Sequence, residues 1–255
     1  MDVSKNKYLA NFEWLFNNKI RNGLYIFRLL AKLQNKDIVH FFHIGKTGGS
    51  SVKYALKLKN APLINNEYII FGHSHTFTLK DTYPGEKIFF FVRDPIDRFI
   101  SGFYSRKRKG APRIYVEWSP EEKQAFETFD TPNELAVSLS SVNEDLREKA
   151  IKAMNSIGHV RTSLWNWFIN DDNFNRRLND IIFVGTQKNL NKDFERLKKL
   201  LYLSDEYILP KDNIKAHKNP DDVDKDLSDK AYKNLKDWYS EDYRFLNLLH
   251  DKGLL

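Results

Sequence analysis

Four short runs of apolar, β-prone residues, over 38–44, 68–71, 88–92 and 181–184, punctuate a chain whose intervening stretches are polar or helix-compatible. Within each run both alternating sets of positions are apolar, the pattern of strands covered on both faces. About 23 residues separate the first two runs and include a helix-compatible stretch over 50–59, long enough for a right-handed crossover. This alternation predicts an α/β fold with a central parallel β-sheet flanked by helices. Residues 119–170 carry no strand signal. Ser119-Pro120-Glu121-Glu122 and Thr131-Pro132-Asn133-Glu134 each combine a cap residue, a first-turn proline and early acids, so this block reads as a helical insertion or lid. Further helices are expected over 189–203 and 227–250, the latter with Leu227, Ala231, Leu235 and Trp238 on one face. Leu9, Phe12, Leu15, Phe16, Ile20, Leu24 and Phe27 recur at helical spacing and predict one or two amphipathic helices in an extension over 1–37. With no repeat and no linker, 1–255 reads as a single domain.

Composition narrows the class. A chain of 255 residues, 41% hydrophobic and 14% aromatic, fills a core, which excludes disorder of the whole. No apolar run approaches the ~18–20 residues of a membrane-spanning helix, and the N-terminus lacks the order of a secretory signal. A cytoplasmic, bacterial-type protein is expected, with peripheral membrane contact through the N-terminal helices and a lumenal catalytic domain stripped of its leader as open alternatives. The absence of cysteine excludes disulfides, thiolate zinc sites and a cysteine nucleophile. Lys plus Arg number 41 against 34 acids, and the net charge of +7 favours anionic partners.

The most informative segment is Ile38-Val-His-Phe-Phe-His-Ile-Gly45-Lys46-Thr47-Gly48-Gly49-Ser50-Ser51, an apolar strand running into a glycine-rich turn and then a helix. Backbone N–H groups at such a turn converge on one point, the helix dipole favours negative charge there, and glycines allow a phosphate to approach closely. Lys46 adds a charge and Thr47, Ser50 and Ser51 add hydroxyls. A Walker A motif would need glycine five residues before Gly45, where His40 stands, so the turn is P-loop-like without being that motif. A second cluster follows the third run: Arg93-Asp94-Pro95-Ile96-Asp97-Arg98-Phe99-Ile100-Ser101. Arginine at a strand's carboxyl end faces the crevice where open α/β sheets bind ligands, and Ser101, two helical turns on, returns to the same anion.

Together the two clusters resemble the phosphosulfate-binding and 3′-phosphate-binding elements of sulfotransferases that use 3′-phosphoadenosine-5′-phosphosulfate (PAPS), most closely the carbohydrate type that includes the heparan 2-O and chondroitin enzymes and their bacterial relatives. The resemblance covers most of 38–250. It implies that Lys46 contacts the bridging and sulfuryl oxygens, that Thr47, Gly48, Gly49, Ser50 and Ser51 hold the 5′-phosphate, and that Arg93 and Ser101 hold the 3′-phosphate, with 3′-phosphoadenosine-5′-phosphate (PAP) as product. Asp94, Pro95 and Arg98 are expected to shape the helix start. Gly72-His73-Ser74-His75 resembles the family's Gly-His after the corresponding strand, which implies His73 as catalytic base, with His75 the alternative. The loop Lys215-Ala-His217-Lys218 resembles the one that closes over the nucleotide, so Lys218 or Lys215 is expected at the 3′-phosphate. Gln187 stands where the family's turn carries an acid. His159 and Arg161 lie where relatives contribute acceptor-binding groups.

Sulfuryl transfer needs an in-line acceptor oxygen, a base for its proton and positive charge on the departing phosphate, and these residue types supply all three. No metal is expected, because His73 and His75 lack carboxylate neighbours. Residues 98–116 hold six basic side chains and no acid, which makes Arg106 and Arg108 candidates to steer an anionic, carbohydrate acceptor. No reading helix or aromatic stacking sheet points to nucleic acid. His40 and His43 read as core or edge residues. Two other classes stay open: a P-loop-like kinase or NTPase, which would need Mg²⁺ and a strand-end carboxylate, and a non-catalytic module binding anionic glycan or membrane.

Overall fold

The computed structural model describes residues 24–59, 61–112, 114–212 and 223–255. The helices expected over 1–23, and the loop bearing Lys215, His217 and Lys218, lie outside the described residues. Five strands form one sheet: β1 (Asp37–Phe42), β2 (Leu63–Ile64), β3 (Tyr68–Gly72), β4 (Lys87–Val92) and β5 (Ile181–Thr186), in the spatial order β2-β3-β1-β4-β5. All neighbours run parallel except β2, a two-residue antiparallel edge that is too short to leave a pattern in the sequence.

The doubly apolar strands are explained by what covers them. Val39, Phe41, Phe89 and Phe91 face one side, against Val52 of α2 (Gly49–Ala55) and Phe194 and Leu197 of α8 (Leu190–Leu200). Phe42, Ile88 and Phe90 face the other, against Leu164, Trp165 and Phe168, Phe174 of α7 (Asp171–Arg176), and Phe245 and Leu249 of α10 (Ser240–Asp251). Helix α1, over 24–34, adds Ala31 against Ile38 and Ile69. Each fully buried phenyl ring stabilises the fold by about 1.5–3 kcal/mol, and the sheet carries Phe41, Phe42, Phe89, Phe90 and Phe91 in this state.

A separate helical core lies beside the sheet. Phe99 and Phe103 of α3 (Pro95–Lys107) pack with Phe126 of α4 (Pro120–Thr128), Leu135 of α5 (Pro132–Ser138), Met154 of α6 (Glu144–Ser156) and Leu235 of α9 (Asp229–Trp238). Ser119 and Thr131 close capping boxes with Glu122 and Glu134, as their spacing predicts. The insertion predicted over 119–170 is helical only to Ser156; Leu164–Trp167 is a 3-10 turn that belongs to the sheet's core. The helix predicted over 227–250 breaks at Tyr239, which is buried and donates its hydroxyl to the Val160 carbonyl at 3.0 Å. The break lets α9 face the helical core while α10 faces the sheet.

Strands β1 and β4 are neighbours, but the chain leaves the carboxyl end of β1 toward β3 on one side and that of β4 toward β5 on the other. That is a topological switch point, where open α/β sheets form their ligand crevice. The turns after β1, β3, β4 and β5 therefore bring Lys46, His75, Arg93 and Gln187 to one cavity.

Gly72 closes β3 against Leu58, whose carbonyl oxygen would lie 2.9 Å from any added methyl carbon and whose Cβ would lie 2.5 Å away. Gly72→Ala is expected to destabilise the protein by about 1–3 kcal/mol through overpacking, read as a lower urea midpoint with an unchanged slope.

Candidate active site

The turn after β1 is built under strain. Lys46 takes φ 68 and Gly48 φ 87, both in the left-handed region, and only the glycine does so at no steric penalty. Thr47 steadies the turn by donating its hydroxyl to the Ile44 carbonyl at 2.9 Å. Gly48, at the N-cap of α2, has no side chain to cap the helix, so its first N–H groups have no side-chain partner at the cap. Two arginines grip the turn from α3 and its approach: Arg98 Nε donates to the Gly45 carbonyl at 3.0 Å, and Arg93 Nη1 reaches the Lys46 carbonyl at 3.5 Å. Arg98 is fully buried, with its guanidinium 3.6 Å from Asp242. It thus holds the turn in place from within. Asp94 accepts from the Ile96 and Asp97 N–H groups and Pro95 starts α3, so these two shape the helix as expected.

Lys46 Nζ and Arg93 Nε are buried without a hydrogen-bond partner among the described residues. Burial, followed by the charges of Arg108 and Arg93, pushes the Lys46 ammonium down to about 7. Burial likewise lowers Arg93, against the opposing pull of Asp97 and Asp94. Both side chains line a cavity of about 750 Å³, together with Gly48, Gly49, Ser50 and Ser101. Cations removed from water and left unpaired mark a place where an anion belongs. Ser105, one turn beyond Ser101 on the same face of α3, joins this wall. That i, i+4 spacing was present in the sequence, although only Ser101 was singled out from it.

The two histidines after β3 go to different places. His73 is 5% exposed, lies flat on Phe77 with ring centroids 3.4 Å apart, and lines neither the first cavity nor its neighbour. His75 is exposed and lines both. Its Nδ1–H donates to the His43 carbonyl at 2.7 Å, since a carbonyl can only accept; in the neutral ring this leaves the lone pair on Nε2. Dense surroundings push His75 below the usual imidazole value, the His43 hydrogen bond opposes this, and Lys53, Arg98 and Lys46 add to the downward shift. The ring lies 4.1 Å from that of His43 and 5.4 Å from that of His159, the latter edge-on.

His159 takes φ 67 and fills a space that two glycines leave for it. A methyl group on Gly45 would sit 2.7 Å from its Nδ1, and one on Gly102 would sit 3.2 Å from its Cβ. The turn that carries it is pinned on both sides: the Gly158 N–H donates to Glu122 at 2.9 Å, and Tyr239 holds Val160. Together His75 and His159 form a shared wall between the first cavity and a second of about 570 Å³, lined also by Thr76, Lys80, Arg161, Asn166 and Trp167. The indole N–H of Trp167 is buried there without a partner among the described residues. Nothing in the sequence distinguished Trp167 from its aromatic neighbours.

Arg106 lines the first cavity and is held by internal bonds: its Nε and Nη2 grip Glu122 at 2.7 and 2.6 Å, while Nη1 and Nη2 donate to the Val116 and Glu117 carbonyls, so it also fixes the loop beyond α3. Arg108 is half-buried, donates to the Ala111 carbonyl at 2.8 Å, and acts on the site through its charge on Lys46. Arg161 is exposed on the second cavity, and Gln187 lines the first.

A sequence model of the Sulfotransferase family matches residues 31–248. The chain belongs to the sulfotransferase family. No curated protein matches it. The matched region takes in every described strand and every helix from α2 to α9, so the turn after β1 and both cavities of this sulfotransferase lie inside it. No helix among the described residues is long and apolar enough to cross a membrane.

Replacing the buried ammonium should stabilise the ligand-free sulfotransferase. Lys46→Met is expected to raise its unfolding free energy by about 1–3 kcal/mol. A lysine depressed to about 7 in the fold and near 10.5 when unfolded costs most below pH 7, and the penalty disappears as pH rises toward 10.5. The gain should accordingly narrow over that window in urea titrations; a gain independent of pH would contradict the assignment.

Proposed function

We propose that this sulfotransferase moves the sulfuryl group of PAPS to a hydroxyl of a carbohydrate acceptor by direct in-line transfer. The observation that carries the reading is the pair of buried, unpartnered cationic nitrogens, Lys46 Nζ and Arg93 Nε, in one cavity at the carboxyl ends of β1 and β4. A nucleotide with phosphate at both its 5′ and 3′ positions answers both. Thr47, Gly48, Gly49, Ser50 and Ser51 surround the 5′-phosphate, and Arg93 and Ser101 take the 3′-phosphate. A kinase or NTPase would ask for a Mg²⁺-binding carboxylate at a strand end, and among the described residues the acid lining the first cavity is Asp97, on a helix.

The second cavity receives the acceptor, with the Trp167 N–H, Asn166, Thr76 and the cations Lys80 and Arg161 suited to a hydroxylated and anionic sugar. We assign the base to His75 in preference to His73, because His75 stands between the cavities with Nε2 as its acceptor atom. In the transfer the acceptor oxygen forms its bond to sulfur as the bond from sulfur to the phosphate oxygen breaks; the acceptor proton passes to His75 Nε2, and PAP leaves. Lys46 meets the negative charge that develops on the departing phosphate, in surroundings where that interaction is strengthened by burial.

Calorimetric titration with PAP, ATP and Mg²⁺-ATP tests the donor. PAP should bind selectively, and Arg93→Ala should weaken it by about 10- to 150-fold, the loss of one charge-assisted hydrogen bond. At pH 8 PAP binding should also take up protons, because Lys46 is mostly neutral in the free protein and the phosphate restores its charge. Preference for Mg²⁺-ATP would favour the kinase reading. Sulfate transfer from PAPS into an oligosaccharide panel, lost in His75→Ala, tests the acceptor class and the base.

A further inference from the structure

Four side chains outside the transfer chemistry, half-buried Arg28 and buried Glu86, His40 and His73, form an unbroken hydrogen-bonded chain beneath α1. Arg28, on α1, donates from Nε to Glu86 Oε1 at 2.6 Å and from Nη2 to Oε2 at 3.0 Å. Glu86, just before β4, also accepts the Tyr83 N–H at 2.7 Å. The other members follow in turn: His40 Nε2 lies 2.9 Å from Glu86 Oε2, and His40 Nδ1 lies 2.8 Å from His73 Nε2. His40 is completely buried in the middle of β1, and His73 is nearly so.

Each proton in this chain has one place to be. Burial alone would raise the Glu86 carboxyl, but hydrogen bonds from His40 and Arg28 hold it at about 2, so it is an acceptor only. Burial keeps His40 neutral against the pull of Glu86, and keeps His73 neutral with help from His40 and Lys53. A neutral His40 must then donate from Nε2 to the carboxylate and accept at Nδ1, which requires His73 to donate from Nε2. The charged groups around the pair are Glu86, Arg28 and Arg177 toward His40, and Lys53 and Arg28 toward His73; apart from Glu86 these are cations, and each disfavours a proton on the ring it faces.

Packing alone does not call for this arrangement. The two imidazoles lie among Phe71 and Phe77, where apolar side chains would fill the same space without burying a carboxylate. What the chain adds is direction. With its ring bonded to His40, His73 is held through its backbone as well: its N–H reaches the Phe41 carbonyl at 3.4 Å, and its carbonyl accepts from Lys53 Nζ at 3.1 Å. Two residues later His75 enters the wall between the cavities.

We propose that His40 and Glu86 are positioning residues for sulfuryl transfer: by fixing the His73 ring they set the turn 73–75 and aim His75 at the acceptor hydroxyl. The proposal rests on the assignment of His75 as base.

Three full-length variants test it. His40→Gln keeps a donor and an acceptor in the chain, His40→Phe keeps only the volume, and His73→Phe leaves a ring on Phe77 but removes the bond to His40. Turnover is read as PAP release from PAPS with water as acceptor. His40→Phe and His73→Phe should lose tenfold or more in kcat with KM for PAPS and PAP affinity within twofold of wild type, while His40→Gln keeps most of its kcat. In ¹⁵N NMR of the imidazoles, His75 should be the pure Nδ1–H tautomer in the wild type and a mixture, titrating closer to 6.5, in the two Phe variants. A space-filling role predicts the reverse order, with Phe tolerated and Gln damaging, and that result overturns the proposal. So does an unchanged His75 signal in His73→Phe, the variant that decides the matter should His40→Phe not fold. A wild type that binds no PAP and releases none from PAPS would instead count against the transfer reading, and the NMR comparison would still judge the positioning.

Discussion

An ammonium group held out of water with no counter-ion among the described residues is unfavourable by several kcal/mol, and much of this protein is arranged so that Lys46 cannot escape that position. The residue sits at positive φ in a turn whose carbonyls are gripped by Arg98 and Arg93, and Arg98 is itself locked against Asp242 of α10. Asp242 in turn accepts from Ser163 and from the Leu164 N–H, at the head of the 3-10 turn that carries Trp167. One buried guanidinium therefore ties the turn after β1 to the lining of the second cavity. The stability given up at Lys46 is supplied by the phenylalanine layers on both faces of the sheet, where most of the burial lies.

The histidines obey the same logic of fixing a group from behind. His75 has its tautomer set by the His43 carbonyl, His159 has its place cut by Gly45 and Gly102, and the turn of His159 is clamped through Glu122 to Arg106. Arg106 also holds the Val116 and Glu117 carbonyls, and Val116 lines the first cavity. Arg106, itself on the lining of the first cavity, thus also places a further part of that wall and the histidine shared with the second.

What was legible in the sequence was what is local. The strands announced themselves through runs rich in Phe, Ile and Val, the capping boxes through their spacing, and the turn after β1 through a strand, Gly-Lys-Thr-Gly-Gly and a helix in immediate succession. The rest depends on pairings across the fold. His73 and His75 are equivalent as text, and strand alternation cannot be carried past Gly72, where β3 ends and the chain turns. Arg106 finds Glu122 sixteen residues away on another helix. Trp167 gains meaning only because it faces a cavity with its N–H unmet. The six basic residues over 98–116 looked alike, yet Arg98 is buried in the framework, Arg106 is engaged by Glu122, and Lys107 pairs with exposed Asp130.

The division into two cavities meeting at His75 and His159 also bears on the order of the reaction under the proposed mechanism. In-line transfer requires the acceptor oxygen to approach sulfur from the side opposite the departing phosphate. Lys46 lines the first cavity, Trp167 and Arg161 line the second, and among the described residues the two histidines are what touch both. An acceptor entering through the second cavity therefore meets the base before it meets the sulfuryl group, with the leaving-group cation on the far side. The framework that fixes His75, from Glu86 through His40 and His73, lies behind that boundary, under the sheet face covered by α1. It can hold the base in register without occupying any of the space that either substrate needs.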